Sequence, residues 1–303
     1  MLEQSIHQEV NLPLLAEKQV SLCVKREDLI HPQISGNKYR KLKYNLTEAK
    51  SKDFDTLLTF GGAFSNHIAA TAYAGKKSNF KTIGVIRGEE LSKKWKDNPT
   101  LNQAYSDGMR FKFISRETYR KKENTSFLKE LEAEFGAFYH LPEGGTNPLA
   151  IKGCGEVLDE RDTDFDFICC SVGTGGTIAG IVNASDVKQQ VLGFPALKGN
   201  FLKEDIRNFA SKDNWSLYSD YHFGGYAKVT AELIEFINDF RFKTKIPLDP
   251  IYTGKLFFGT LDLVKKDRFP PKTKIMVIHT GGLQGIAGMN ENLKKKNLPL
   301  ICV

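Results

Sequence analysis

The sequence predicts an α/β fold with mostly parallel sheets. Short apolar strands alternate with helical patterns from about residue 55 onward, and this alternation is typical of βαβ units. Neither a solenoid-type repeat nor a Pro/Gly/Ser-rich linker interrupts it. With 303 residues, of which 41% are apolar and 26% charged, the chain fits either two closely packed lobes or one large domain.

Five strand–helix pairs carry this prediction. In each pair a short apolar run, of strand length, leads into a longer segment with a helical pattern. In chain order they are DTLLTF before SNHIAATAYAG, KTIGVI before NPTLNQAYSDGM, RFKFIS before SFLKELEAEFG, DFICC before TIAGIVNAS, and KIMVIHT before LQGIAGMNENL.

The net charge of +7 does not by itself indicate nucleic-acid binding. The lysines are scattered, and no zinc-finger, RNP or basic-helix pattern accompanies them. We therefore expect no nucleic-acid partner. A mild positive excess suits an enzyme that handles anionic small molecules.

The cysteines and the N-terminus predict a cytoplasmic protein. Five cysteines, an odd number without a CxxC pair, argue against a disulfide framework or a structural zinc site. The first residues, MLEQSIHQEVNL, lack the basic start and apolar core of a signal peptide. No apolar run approaches the ~20 residues that span a bilayer, so we expect no membrane partner.

Three predicted strands end in glycine-rich turns. LLTF runs into residues 61–67, FICC into 171–177, and MVIHT into 281–282. In open α/β sheets, ligands bind at the carboxyl ends of strands, where glycines admit the ligand and helix amides face an anion. The three ends together predict one cofactor site.

The turn SVGTGGT (171–177) is typical of phosphate binding. Backbone N–H groups, threonine hydroxyls and a helix N-terminus converge there, although a tight βα turn would also use glycine. The third glycine of a dinucleotide fingerprint would fall at Ile178, and the chain has no P-loop sequence. The pattern therefore favours a monophosphate over NAD or a nucleoside triphosphate.

A lysine beside a turn suggests which monophosphate is bound. Pyridoxal phosphate needs a lysine amine to form a Schiff base with its aldehyde. In SGNKYRKLKYNL (35–46), helical spacing puts Lys38 and Lys41 on one face and turns Lys43 away. Taken alone, the segment fits a helix start with solvated lysines better than a cofactor lysine.

The ordered motifs of the chain decide between these alternatives. The sequence resembles the fold type II, tryptophan-synthase-β-like pyridoxal-phosphate enzymes, in the branch of D-cysteine desulfhydrase and 1-aminocyclopropane-1-carboxylate (ACC) deaminase. The resemblance covers nearly the whole chain. Its motifs are VKREDLIHPQISGNKYRKLKY, GGAFSNHIAATA, GGTNPLAIKG, SVGTGGTIAG, GGYAKVT, DPIYTGKLFFG and IHTGG.

This resemblance implies two α/β lobes, each with an open, twisted, mostly parallel sheet flanked by helices, and the cofactor between them. We expect residues 41–147 to form the small domain, and residues 1–40 with 148–303 the large one. A homodimer and a small amino-acid substrate are also implied. The apolar stretches LLAEKQVSLCV and LFFG fit either a dimer surface or the core equally well.

The resemblance assigns the cofactor site residue by residue. Lys38 is the Schiff-base lysine and Lys41 lies close to the phosphate, while Lys43 remains solvated. Asn66 is expected to bond the phenolic oxygen of the cofactor. The phosphate would be held by the loop Gly173, Thr174, Gly175, Gly176 and Thr177.

The substrate side is assigned in the same way. Ser65 meets the substrate carboxylate or helps to move a proton, and His67 is a possible hydrogen-bond donor near the substrate. Tyr226 and Tyr252 match two family tyrosines that line the active site and can relay a proton. For His279 a structural role is equally compatible, and no histidine has the spaced partners of a metal site. We expect no metal.

Two threonines bear on the reaction. ACC deaminases resemble one another in a glutamate after the second tyrosine and a leucine in H-L-G-G, whereas desulfhydrases carry hydroxyl residues at both places. The chain has Thr253 and Thr280, which cannot hold a proton on the pyridine ring as a carboxylate would. With both near one pyridine nitrogen, β-elimination from D-cysteine is favoured. ACC ring opening, and elimination from D-serine or another small D-amino acid, remain alternatives.

Two departures from the family pattern leave the substrate open. Phe64 stands where the family commonly has glutamine, which adds an expected aromatic wall at the substrate end. Ala227 stands where a glycine usually follows the first tyrosine. A non-catalytic binder that retains the fold is disfavoured, because the lysine, the loop and both tyrosines are all present.

Overall fold

The computed structural model describes residues 4–34, 36–199 and 202–302; Ser35, of the expected Ser-Gly-Asn turn, lies outside them. The strands are β1 (Ile6–Val10), β2 (Ser21–Arg26), β3 (Thr56–Gly61), β4 (Lys81–Arg87), β5 (Met109–Ile114), β6 (Tyr139–Leu141), β7 (Phe167–Val172), β8 (Gln190–Pro195), β9 (Trp215–Leu217) and β10 (Lys274–Ile278).

The α-helices are α1 (Pro13–Glu17), α2 (Asn37–Ser51), α3 (Asn66–Ser78), α4 (Pro99–Ser106), α5 (Arg116–Tyr119), α6 (Thr125–Phe135), α7 (Pro148–Gly155), α8 (Gly176–Ala184), α9 (Leu202–Arg207), α10 (Ala231–Thr244), α11 (Thr253–Lys265) and α12 (Gly285–Lys294). Short 3₁₀ turns cover 27–29, 89–93, 95–97, 143–145, 160–162 and 219–221.

The strands form two sheets. One has six strands in the order β1-β2-β10-β7-β8-β9, and the other has four in the order β5-β4-β3-β6. All neighbouring strands are parallel except β1 and β2, which pair antiparallel. The predicted α/β fold with two mainly parallel sheets flanked by helices is therefore confirmed. The antiparallel β1–β2 pair precedes the alternating pattern and was not predicted.

All five predicted strand–helix pairs are present, as β3–α3, β4–α4, β5–α6, β7–α8 and β10–α12. Strands β3, β4, β7 and β10 are largely buried, as strands covered by helices on both faces should be, whereas the edge strand β5 is buried only at its two end residues. Leu57 packs into the apolar cluster on one face of the small sheet, and its neighbour Leu58 into the cluster on the other. Ile168 and Cys169 divide between two clusters in the same way across the large sheet.

The two apolar stretches considered for a dimer surface belong largely to the core. Leu15, Leu22 and Val24 are buried, and so are Leu256 and Phe257. All five pack into one cluster with α10 and α11. Core burial therefore accounts for these stretches, and the homodimer stays a prediction without an assigned surface.

The chain distributes its strands unevenly between the sheets. Residues 56–141 supply all four strands of the small sheet, whereas the large sheet takes β1 and β2 from the start of the chain and its other strands from residues 167–278. The expected domain boundaries at residues 41 and 147 remain a prediction.

Two features of the described residues bear on function. No helix among them is long and apolar enough to cross a membrane. Within residues 4–34, 36–199 and 202–302, no three His, Cys, Asp or Glu side chains group as metal ligands would. All five cysteines are free thiols, and Cys302 alone is exposed.

Candidate active site

A cavity of about 820 Å³ opens where strands of both sheets end, a volume ordinary for a cofactor site. Residues that follow β3, β6, β7 and β10 line it, together with the start of α2. The sequence-predicted residues that line it are Lys38, Lys41, Ser65, Asn66, His67, Gly173, Thr174, Gly175, Thr177, Tyr226, Tyr252 and Thr280. Gly176 is buried just behind this wall.

Gly36 aims the first turn of α2 at the cavity. Its φ of 63° and ψ of −140° suit glycine, and a Cβ there would stand 2.0 Å from the Thr280 carbonyl oxygen. The amide of Asn37 reaches the same oxygen at 3.4 Å. Helix α2 therefore begins against the backbone that follows β10, which directs Lys38 inward.

Lys38 and Lys41 share one acceptor. Their Nζ atoms donate to the carbonyl oxygen of Gly144 at 3.1 and 2.9 Å, and Lys41 also donates to the Thr146 hydroxyl at 3.0 Å. Loss of solvent, with the neighbouring Lys41 charge, holds the pKa of Lys38 well below its usual range. Lys38 therefore presents a neutral, nucleophilic amine. Lys43 instead pairs with Glu156 at the surface, at 2.6 Å.

The glycine loop after β7 forms a cradle beside Lys41. A Cβ at Gly176 would lie 2.9 Å from the Thr146 side chain and 3.2 Å from Lys41 Nζ, so glycine keeps this space open. The Thr174 and Thr146 hydroxyls lie 2.6 Å apart, and the Thr177 hydroxyl accepts from Asn37 Nδ2 at 2.7 Å. Amides at the start of α8, hydroxyls and the Lys41 Nζ thus converge as an anion needs. Burial lowers the pKa of Lys41, and a bound anion would favour its charged form.

Asn66 is oriented by a relay of side chains. Thr100 donates to Gln284 Oε1 at 3.0 Å, and Gln284 Nε2 donates to Asn66 Oδ1 at 2.5 Å. Because its oxygen is engaged, Asn66 offers Nδ2 as a donor. Ser65 precedes it as the N-cap of α3, where its hydroxyl accepts from the Ile68 amide at 3.3 Å.

His67 has a defined tautomer. Its Nε2 lies 2.8 Å from the Thr59 hydroxyl, which donates its one hydrogen to the Leu141 carbonyl at 2.9 Å. Nε2 must therefore carry the hydrogen and donate to Thr59. Burial holds the pKa of His67 well below its usual range, so Nδ1 is a bare acceptor, and it has no hydrogen-bond partner in the described part of the chain. The sequence predicted a donor to the substrate at His67, whereas the ring nitrogen that remains free, Nδ1, is an acceptor.

Tyr226 and Tyr252 face each other. Their ring centroids are 6.3 Å apart at 65°, and each phenol contributes to the pKa shift of the other. Tyr252 also lies against Gly173, where a Cβ would come within 3.3 Å of its ring. Burial raises the pKa of both phenols, that of Tyr252 well above its usual range. Both phenols are therefore protonated and can donate.

The two threonines do not act together, contrary to the expectation that both touch one nitrogen. Thr280 lines the cavity with its hydroxyl 3.0 Å from that of Ser171. Thr253 is fully buried outside it. Its hydroxyl accepts from the Asp249 amide at 2.8 Å and donates to the Asp249 carboxylate at 2.7 Å. Thr253 therefore closes the turn before α11.

Two further expectations change with the geometry. Phe64 packs against Gly288 of α12, where a Cβ would clash with its ring at 2.4 Å, and it is not part of the cavity wall. The expected aromatic wall is therefore wrong. His279 is fully buried, with Nε2 2.7 Å from the Pro247 carbonyl, which is a structural role.

The family model of pyridoxal-phosphate dependent enzymes matches residues 8–281. The chain belongs to this family. A putative ACC deaminase of Pyrococcus horikoshii is 33% identical over 287 residues, which cover 86% of this chain and 84% of that protein. The bifunctional D-cysteine desulfhydrase/ACC deaminase of Arabidopsis thaliana is 33% identical over 306 residues, covering 91% and 75%.

Solved structures agree with the sequence relatives. An ACC deaminase homologue superposes with a TM-score of 0.83 at 29% identity, covering 96% of this chain and 93% of that one. A hydrogen sulfide-producing enzyme of Fusobacterium nucleatum shares the fold, with a TM-score of 0.66 at 16% identity, covering 92% and 96%. The chain is thus of the ACC deaminase/D-cysteine desulfhydrase kind within the pyridoxal-phosphate enzymes.

Pyridoxal phosphate is the cofactor of this family, and the cavity fits it on three independent counts. The Gly176 cradle offers a phosphate site with the Lys41 Nζ as a donor. Lys38 offers a neutral amine for the aldehyde. Asn66 offers an amide donor of the kind that a phenolic oxygen accepts.

The sequence argument missed several residues of this pyridoxal-phosphate site. They are Asn37, Gly144, Thr146, Ser171 and Gln284. Four lie inside or beside recognised motifs, such as GGTNPLAIKG. Their polar atoms hydrogen-bond to other residues of the site, and their residue types do not by themselves indicate a catalytic role. Gln284 stands two residues after the motif IHTGG and has no comparable signal.

Proposed function

We propose that this protein is a pyridoxal-phosphate-dependent lyase that cleaves D-cysteine. With one water, D-cysteine gives pyruvate, ammonia and hydrogen sulfide, a balanced β-elimination and hydrolysis. The observation that carries the proposal is the neutral Thr280–Ser171 hydroxyl pair on the cavity wall. Such a pair does not hold a proton on a pyridine ring, so the reaction best supported is one in which a leaving group takes the electrons.

The residues divide the work. Pyridoxal phosphate, when bound, supplies an electron sink for charge at the substrate α-carbon. Lys38 would hold the aldehyde carbon of the cofactor through its Nζ, and the same Nζ, when free, would accept the α-proton of the substrate. Ser65 and the start of α3 bind the substrate carboxylate, and the acceptor Nδ1 of His67 receives an N–H. The protonated phenols of Tyr226 and Tyr252 donate to the departing sulfur.

ACC deamination is the second candidate, since the relatives named above include ACC deaminases. It would open the ring and, with one water, give 2-oxobutanoate and ammonia. Ser65, Tyr226 and Tyr252 suit this substrate as well. Elimination from D-serine or a chlorinated alanine is a third, related reaction that the same groups support.

The test is a side-by-side assay of the holoenzyme with D-cysteine, ACC, L-cysteine and D-serine. We expect sulfide and pyruvate from D-cysteine at a higher kcat/KM than 2-oxobutanoate from ACC. Lys38→Ala should lower turnover by at least about a thousandfold, and Lys43→Ala, a matched change on the exposed side of α2, should not. Efficient release of 2-oxobutanoate without sulfide would reverse the assignment.

A further inference from the structure

The segment that carries Tyr226 has an unfavourable backbone. We call residues 222–227 the tyrosine loop. Within it Phe223, Gly224, Gly225 and Ala227 all have positive φ, of 50°, 89°, 110° and 56°. For Phe223 and Ala227 this left-handed conformation costs free energy because of the Cβ atom. Such a backbone persists only where surrounding contacts fix it.

A buried lysine of α11 supplies these contacts. Lys255 is 1% exposed, and its Nζ donates to the carbonyls of His222 and Gly225, each at 2.8 Å. The same two carbonyls close successive turns, accepting the amides of Gly225 at 3.0 Å and Lys228 at 3.2 Å. The Gly225 carbonyl belongs to the peptide unit that leads into Tyr226. Lys255 therefore holds the backbone just before the strained stretch and again within it.

The burial of this amine requires an explanation. A buried ammonium without an ion-pair partner is destabilising, and Lys255 takes part in none of the ion pairs found among the described residues. The charged group acting on it is Asp249. An apolar side chain would suffice at this position if it only packed in the core. We therefore attribute the lysine to its hydrogen bonds with the tyrosine loop.

The geometry points to Lys255 as a positioning residue for Tyr226, which rests on the proposed catalytic use of the two tyrosines. Helix α11 begins after Tyr252, so one turn of helix bears both Tyr252 and the amine that fixes the Tyr226 loop. The relative placement of the two phenols is thereby set by a single rigid element. An amine has two N–H donors whether or not it is protonated, so both bonds persist on either side of its pKa.

Hydrogen exchange tests this placement without any substrate. In the Lys255→Met holoenzyme, peptides covering residues 222–227 should exchange at least about tenfold faster than in the wild type. Lys265→Met, an exposed lysine of the same helix, should exchange like the wild type. Unchanged exchange of the tyrosine loop in Lys255→Met would overturn the proposal. Lys255→Gln, which keeps N–H donors on a shorter side chain, should be intermediate and decides the matter if the Met variant does not fold.

A double-mutant cycle tests the route to catalysis. Lys255→Met should lower kcat by about tenfold or more with little change in KM, and in a Tyr226→Phe background it should have almost no further effect. Additive losses would overturn a role through Tyr226. If the wild-type protein turned over none of the four amino acids, the proposed function would be contradicted. The hydrogen-exchange experiment needs no substrate, so it would still test whether Lys255 fixes the tyrosine loop.

Discussion

At the scale of single residues, the site depends on how buried polar atoms are paired. The Thr59 hydroxyl donates its hydrogen to the Leu141 carbonyl and accepts one from His67, and this fixes which nitrogen of the imidazole carries the hydrogen. Thr71 lies nearby on α3, and its buried hydroxyl has no partner among the described residues. Burial of the Thr59 hydroxyl is therefore compensated by hydrogen bonds within the protein, whereas burial of the Thr71 hydroxyl lowers the free energy of unfolding, because nothing replaces its hydrogen bonds to water.

Replacing each threonine by valine should separate these cases. Thr59→Val leaves a carbonyl and an imidazole N–H unsatisfied, so we expect about 2–4 kcal/mol lower unfolding free energy. Thr71→Val removes an unsatisfied hydroxyl at nearly constant volume and should be neutral or stabilising by up to about 1 kcal/mol. Urea denaturation measures both, and equal effects of the two changes would contradict the assigned hydrogen bonds.

The Lys255 amine gives a pH prediction. Burial lowers its pKa from 10.5 to about 8. Between pH 8 and 10.5 the unfolded chain therefore binds more protons than the native one at this site, so its contribution to stability rises with pH, by up to ~1.4 kcal/mol per unit. The difference in unfolding free energy between wild type and Lys255→Met should grow over this range. A difference that stays constant from pH 7 to 10 would show that the amine is not desolvated.

At the scale of elements, the strand ends and helix starts position the chemistry. Three helix starts, those of α2, α3 and α8, bring Lys38, Asn66 and the glycine cradle to one cavity. The start of α2 depends on a backbone contact that only glycine permits, since Gly36 touches Thr280. The position of the nucleophile is therefore a property of how α2 meets the end of β10.

Gly36→Ala should consequently displace α2. A Cβ would overlap the Thr280 carbonyl, so we expect a loss of at least about 3 kcal/mol in unfolding free energy, together with weaker pyridoxal-phosphate binding by visible absorbance. Gly108 is the matched control, because its φ is also positive, at 94°, but nothing lies within 4 Å of a Cβ there. Gly108→Ala should cost only about 1–2 kcal/mol and retain the cofactor. Similar losses for both would contradict the contact argument.

The sequence predicted those parts of the site that are local in the chain. The loop 173–177 consists of consecutive glycines and threonines between a strand and a helix, so one continuous segment of the sequence is enough to predict it. The acceptor role of His67 depends on the Leu141 carbonyl, and the role of Lys255 depends on the carbonyls of His222 and Gly225. Backbone carbonyls are present at every residue, so no sequence pattern indicates these contacts. Thr253 stands beside Tyr252 in a family motif, but a helix start turns its hydroxyl to Asp249. The β1–β2 pair was missed because it lies outside the alternating pattern.

At the scale of the whole molecule, contacts between the segments of the two sheets complete the site. Thr100 and Asn66 lie in the segment of the small sheet, whereas Gln284 follows β10 of the large one. The orientation of the Asn66 amide therefore requires both parts of the molecule to be in place. The Lys38 and Lys41 bonds to Gly144 join the start of α2 to the turn that follows β6.

A homodimer remains our prediction for the assembled protein. One chain has a mass of 34.0 kDa, so light scattering at micromolar concentration should give about twice that value. A stable species with the mass of one chain would contradict the dimer. The same measurement on Lys38→Ala would test whether association depends on an intact cofactor lysine, and we expect no change.

The order of strands also bears on synthesis by the ribosome. The small sheet is complete once residue 141 has emerged, and its pairings are all between strands from one continuous segment. Strand β2 must instead wait for β10, whose residues pair with it across some 250 positions. The segment of residues 56–141 can therefore acquire structure cotranslationally, while β2 has only its neighbour β1 until residues 274–278 have been synthesised. During that interval the edge of β2 that will pair with β10 stays open, which makes the nascent polypeptide a substrate for ribosome-associated chaperones.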